Sequence, residues 1–485
     1  MPPSSSSPSL EFHLPGTGTS SSVPSIDCLT SPTQGCHSCR STLGAEPGSE
    51  QAKNVRRNTS GLLRIPPRKA VVKDGDGEAE ADERWKTVLV DCGKTFYSAA
   101  LQHWPKHNLR QIDALLITHA HADAFLGLDD LRGWTLHGSI QTSIPIYATK
   151  ETGTGLNLRS SALSKVLQSG FSFSKGNLEL ISEGYFNDLQ CFPYLADRSK
   201  ATGGGDVPAF DWHIFSPSEP LHLFGIEIIP LPVHHGKIFS TPPQPYLSLG
   251  FLFDRQIAYI SDVSYIPEET WSILETHCCA VVTDSNPSNY KKEEGEGEGE
   301  GEGNPSPSSS SSRRQPAVLI LDTLRSTTFT SHYGIGEAVS TLRRFGAFRT
   351  YLIGFAHGTS HSTWVKTCER ISTGEKTFSP ILLNEENKEQ KIPVPPPYGP
   401  SPSSYHLLPS ITQSWFPISG SSIKGFEDPF VHAQWALRII EAFEPEKIGE
   451  KGWVRPGADG MVLKVFDDED GVGGVGRVTD DLYDV

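Results

Sequence analysis

Five short apolar runs in this chain end in a residue able to bind a metal ion, and few folds accommodate that repetition. The runs are "WKTVLVD", closing on Asp91; "IDALLITH", closing on His119; "IEIIPLPVHH", ending at His235; "IAYISD", ending at Asp262; and "RTYLIGFAH", ending at His357. Apolar runs of this length read as strands buried on both faces. Strands that all finish in ligands bring those ends to one edge of a sheet, which is how an α/β protein assembles a site.

The densest cluster is "THAHAD", with His119, His121 and Asp123 in five positions. A lone histidine after a strand is ordinarily a surface or hydrogen-bonded group, and the chain has 17 histidines. The cluster changes that balance. On a turn, His119 and His121 can face one ion while Asp123 reaches a neighbouring one. Imidazole and carboxylate ligands suit zinc, manganese or iron. Ala124 stands where a further ligand could have been.

Composition says how these strands are packaged. The chain has 485 residues, but only 36% are hydrophobic, with Gly 45 and Pro 37. One α/β domain interrupted by insertions fits this better than two or three packed domains. The reading is a domain over 10–371, with low-complexity insertions near 196–209 and 288–316. The second of these contains the charged linker "KKEEGEGEGEGEGNPSPSSSSSRRQP". A Pro/Ser-rich insertion follows at 372–429, then a closing helix and strand at 430–467. An acidic tail, 468–485, is expected to be disordered.

The formal charge of −15 argues against general nucleic-acid binding, which needs clustered Lys and Arg. The longest apolar runs, such as "AVLIL", are far too short to span a membrane, and the N-terminus shows no secretory signal. Eight grouped cysteines suggest metal or free thiols in a reducing compartment, hence the cytoplasm, with the nucleus left open.

Taken together and in order, "THAHAD", "PVHHG", "ISD" and "GFAH" resemble the metallo-β-lactamase superfamily. The resemblance spans roughly Leu10 to His361, with the closing helix and strand added. It implies a four-layer αββα sandwich with the metal site on one edge. "GTGTSSSVP", the early cysteines, "RRNTS", "VLVDCGKTF" and "GLDDLR" are most similar to cyclic-phosphodiesterase proteins related to a bacterial phosphonate-breakdown enzyme. The likeness to transfer-RNA 3′-processing nucleases is more distant.

Carried onto this chain, the resemblance implies a first metal held by His119, His121 and His235, with Asp262 bridging. The second would be held by Asp123, Asp262 and His357, and Ala124 replaces its usual histidine. His234 competes with His235, but the following Gly236 matches the family pattern and favours His235. Asp129 and Asp130 could supply the missing ligand, although helix capping and an ion pair to Arg132 explain them as well. Asp91 is expected to orient a water or a histidine ligand. His332, before the helix "GIGEAVSTLRRF", is the candidate general acid.

Cys36 and Cys39 have the C-x-x-C spacing of a structural zinc knuckle. The resemblance implies a third metal on Cys28, Cys36, Cys39 and a late histidine, here His361, with His37 a local rival. Arg56, Arg57 and Arg325 are candidates for facing a phosphate, with surface solvation the alternative.

The expected activity is metal-dependent hydrolysis of a small or cyclic phosphodiester through a hydroxide bridging two ions. Zinc is the expected cofactor, with manganese an alternative at the second site. The partner is a small-molecule substrate, and a homodimer is left open. The alternatives are a thioester or lactone hydrolase of the same fold, or a non-catalytic binding module.

Overall fold

The computed structural model describes residues 8–33, 35–67, 83–155, 193–196, 206–238, 240, 244–278, 281–282, 312–313, 316–377, 382–383, 389–390, 428–467 and 477–484. The linker at 288–316 and the Pro/Ser-rich stretch at 372–429 lie largely outside these residues, as does much of 196–209.

Two mixed sheets face each other. The first contains β1 (Leu10–Gly16), β2 (Ser60–Ile65), β3 (Lys86–Val90), β4 (Ala114–Leu116), β5 (Ile144–Thr149) and β6 (Phe210–Phe215). The second contains β7 (Leu221–Leu223), β8 (Ile226–Ile238), β9 (Gln244–Phe253), β10 (Ile257–Ile260), β11 (Val318–Asp322), β12 (Arg349–Ile353) and β13 (Val454–Pro456). The chain then returns to the first sheet as β14 (Met461–Val465) and β15 (Val478–Asp480). The strand orders are β15-β14-β1-β2-β3-β4-β5-β6 and β13-β12-β11-β10-β9-β8-β7.

Strand alternation divides the apolar residues into three cores. Between the sheets lie Leu10, Phe12, Leu14, Val88, Val90, Phe251, Tyr259 and Ile320. Neighbours one position along point outward instead. Leu89 and Leu115 pack with Trp104 and Trp134 beyond the first sheet. Leu319 and Leu321 meet helices beyond the second sheet. Those helices are α2 (Glu268–Cys278), α3 (Ile335–Phe345), α4 (His361–Thr373) and α5 (Pro429–Phe443), while α1 (Phe96–His103) covers the first sheet. The result is the expected αββα sandwich. Among the described residues, no helix is long and apolar enough to cross a membrane.

The tail departs from expectation. Far from being structureless throughout, it carries β15, which pairs antiparallel with β14. Asp480 receives hydrogen bonds from Arg349 Nη1 at 2.8 Å and from the Tyr351 hydroxyl at 2.7 Å, and Asp484 also holds Arg349. An arginine and a tyrosine on the neighbouring sheet thus anchor a segment whose acidic composition alone suggests solvation.

The parallel pairings decide where the site lies. β3, β4 and β5 run parallel in one sheet, and β10, β11, β12 and β13 in the other. Their carboxyl ends carry Asp91, His119, Asp262, Asp322 and His357.

Candidate active site

Asp91 follows β3 with φ +61, a left-handed conformation uncommon outside glycine. Its surroundings hold it there. Thr118 donates its backbone N–H to Asp91 Oδ1 at 2.9 Å and its hydroxyl to Oδ2 at 2.8 Å. Burial pushes the Asp91 carboxyl well above its ordinary range, opposed by these two bonds from Thr118. With its proton committed to Asp91, the Thr118 oxygen accepts from His119 Nδ1, 2.8 Å away. That assigns the tautomer. His119 Nε2 is left as the acceptor, and it is buried with no hydrogen-bond partner.

His235 is prepared in the same sense by a different route. Its Nδ1 donates to the Ser331 carbonyl at 2.7 Å, leaving Nε2 to face the site. Gly236, with φ +74, follows at a register shift in β8, where a Cβ would come within 3.1 Å of Ser331 Cβ. His234 pairs its backbone and ring with Tyr265 instead. The structure therefore brings in His235 and leaves His234 aside.

The rings of His119, His121 and His235 converge, with centroids 4.6, 5.0 and 5.1 Å apart. Their ligand atoms all lie within 4.8 Å of one another. His121 stacks flat on Tyr246 at 4.5 Å, and the Tyr246 hydroxyl accepts from Ala120 N–H. Burial drives the pKa of His119 and His235 well below the ordinary histidine range. Neutral imidazole is the form that binds a metal. The unpartnered Nε2 and the neutral donor set fit an ion here.

Asp262 completes two further groups of the same size, one with His235 and His332, the other with Asp91 and His119. His332 Nδ1 lies 2.8 Å from Asp322 Oδ2 and 3.8 Å from Asp262 Oδ1. Burial alone would lower the His332 pKa, but the charge and hydrogen bond of Asp322, with Asp262 and Asp123 behind them, raise it.

Two expected ligands of a second ion are placed differently. Asp123 belongs to no group of three ligand atoms within 4.8 Å among the described residues. His357 is gathered with Cys28, Cys36 and Cys39. Its Nδ1 is 3.3 Å from Cys28 Sγ and 3.5 Å from Cys36 Sγ, and those sulfurs are 3.6 Å apart. A tetrahedral zinc with bonds near 2.3 Å to sulfur sets its sulfurs roughly 3.8 Å apart, so this set fits one. His361, expected as the fourth member, is absent from it. It opens α4, buried, with its backbone N–H on Asn54 and its Nε2 3.4 Å from the Tyr483 hydroxyl. His37, the local rival, is exposed.

Two of the three candidate arginines are engaged elsewhere. Arg56 is 1% exposed and donates to the carbonyls of Ala356 and Thr359, pinning the loop around His357 from both sides. Arg57 is bound to Asp459, Ser98 and Gln102. Arg325 lies over the Phe329 ring, itself stacked on His332. Asp129 takes Arg132 in a surface ion pair, and Ala124 is buried.

A family model described as the β-lactamase superfamily domain matches residues 86–171 and 182–355, just over half of the chain. The chain belongs to the β-lactamase superfamily. Within it, the clustered histidines and carboxylates make this a metal-dependent hydrolase. Among solved structures, it is similar to a diphosphatase from the PhnP family at 21% identity and TM-score 0.42, covering 73% of this chain and 88% of that one. It is also similar to the metallo-β-lactamase-fold protein YhfI from Bacillus subtilis, at 13% identity and TM-score 0.35, over 72% and 87% of the two chains. The short form of human tRNase Z gives 14% identity and TM-score 0.29, over 71% and 92%. A search of curated proteins gives no match.

Asp322, Thr118, Tyr246 and the buried role of Arg56 escape a reading of the sequence as ligands alone. Asp322 did leave a signal, because "VLILD" is a sixth apolar run closing on a carboxylate.

Proposed function

We propose that this superfamily member hydrolyses a small or cyclic phosphodiester. The observation that carries this reading is His332, held by Asp322 beside the three-histidine cluster. A leaving alkoxide needs a proton, whereas a thiolate departs without one. An imidazole positioned by a buried carboxylate therefore serves an oxygen leaving group, which a phosphodiester and a lactone both have and a thioester lacks.

His119, His121 and His235, with Asp262, would hold the catalytic ion, and zinc suits that donor set. When bound, such an ion supplies a nucleophilic water at neutral pH and polarises the phosphoryl oxygen. The chain's own residues do the rest. Asp91 and Thr118 fix the His119 ring, and the Ser331 carbonyl fixes His235. Asp262 takes the proton of the attacking water as its oxygen bonds to phosphorus. His332 gives a proton to the leaving oxygen as the P–O bond breaks.

The test is turnover of bis-p-nitrophenyl phosphate, a cyclic phosphate ester, a lactone and a thioester by the zinc-loaded protein. Cleavage of the phosphodiesters is expected. Hydrolysis of the thioester or lactone with no phosphodiester cleavage would overturn the reading.

A further inference from the structure

We infer that the active site works around one resident ion, because the residues that would hold a second do not gather beside Asp262. The inference rests on the hydrolytic reading above, but its test does not use turnover.

The ligands of a second ion are dispersed. Position 124 carries no ligand atom. Ala124 is 2% exposed, its N–H donates to His121 O and its carbonyl accepts from Cys92 N–H, so the turn is locked around a methyl group. His357 is taken by the cysteines, and Arg56 grips the carbonyls on both sides of it. A shift of that loop's backbone toward Asp262 would break both bonds from a buried guanidinium, each a strong, charge-assisted one. Two carboxylates remain, Asp123 and Asp262, and only Asp262 lies in a metal-sized group.

The three groups near the active site also share members. His119 and His235 each belong to two of them, and so does Asp262. Each pair of groups shares one of these three residues, so the three groups adjoin one another. Beside them stands His332, its ring edge-on to His235 with centroids 4.8 Å apart and its Nδ1 facing Asp322 and Asp262. An imidazole whose Nδ1–H is given to a buried carboxylate is set up to donate a proton from its other nitrogen. In a two-ion enzyme the second cation stabilises the leaving oxygen. Here proton delivery from His332 takes that task.

Elemental analysis of zinc-replete, gel-filtered protein decides the matter. Two zinc ions per chain are expected, one at the histidine cluster and one at Cys28, Cys36, Cys39 and His357. Cys36→Ser and His119→Ala should each retain one. His332→Asn should still hold two, because His332 is not a ligand, and equilibrium dialysis against excess manganese should add no third tight ion. Three ions in the parent protein would overturn the inference. So would the loss of one ion in His332→Asn, with circular dichroism confirming that the variant is folded. Two bound ions and no phosphodiester cleavage would sink the functional reading alone.

Discussion

Asp322 Oδ2 lies 2.8 Å from Nδ1 of His332, although a loop of the chain separates them. Asp322 is fully buried at the end of β11, and His332 waits in the turn before α3. Asp322→Asn keeps the shape and removes the charge. For a substrate with a poor leaving group, kcat should fall by about 10²-fold, the low end of what general acid catalysis supplies. For p-nitrophenyl esters, whose leaving group needs little help, the fall should be much smaller with KM nearly unchanged. Equal losses on both substrates would remove the proton-donor role.

The same contact sets a pH dependence. Asp322 raises the His332 pKa, so the imidazole stays protonated to higher pH than a free histidine. A general acid is active below its pKa and loses activity as pH rises through it. In Asp322→Asn the descending alkaline limb of kcat should therefore move to lower pH. A limb that stays in place would assign it to another group.

His357 and His361 separate cleanly by metal content. His357→Ala should lose the zinc at Cys28, Cys36 and Cys39, since its Nδ1 faces two of those sulfurs. His361→Gln should keep it. The reverse pattern would mean that the loop takes a different path when metal is bound.

Arg56→Ala should lower stability by about 3 kcal/mol, because two carbonyls lose hydrogen bonds from a charged donor in a buried setting. Zinc affinity at the cysteines should fall with it. Arg56→Lys should not rescue, as one ammonium cannot span both carbonyls with the guanidinium fork. Denaturant unfolding and zinc competition with a chelator measure the two effects.

Asp480→Ala tests the tail. It takes from the Tyr351 hydroxyl its buried acceptor and from Arg349 one of its two carboxylates, Asp484 remaining, at a cost of about 1–2 kcal/mol. An unchanged unfolding midpoint would mean that β15 is dispensable.

How much of this was legible beforehand differs from one residue to the next. The candidate ligands His119, His121, His235 and Asp262 stand out because they lie at or just beyond the ends of apolar runs, in the order that the family resemblance expects. The sandwich follows from the same strands. The destination of His357 did not follow. His357 and His361 lie in one short loop, and which of them meets the cysteines depends on the backbone path after Gly354, with φ +81, and on Arg56. Both are tertiary facts. Asp322 was visible as a strand-end carboxylate, but its meaning depends on where the later turn returns His332. The tail misled for a different reason, since acidic residues suggest solvation until an arginine and a tyrosine from another strand are there to receive them.

The placement of β1 has a consequence for how the protein comes into being. β1 starts at Leu10, yet one of its two neighbours is β14, with Leu10 opposite Val465. The Asp459 carboxylate likewise takes the N–H and hydroxyl of Thr17. β1 is therefore flanked on one side by a strand from far along the sequence. During translation β1 can pair with β2, but its other edge stays open until β14 has left the ribosome. Pairing across such a separation is slow, and an open apolar edge is where chains stick to one another. Nascent chains should depend on chaperones that shield extended segments, and fragments stalled before residue 461 should aggregate rather than fold.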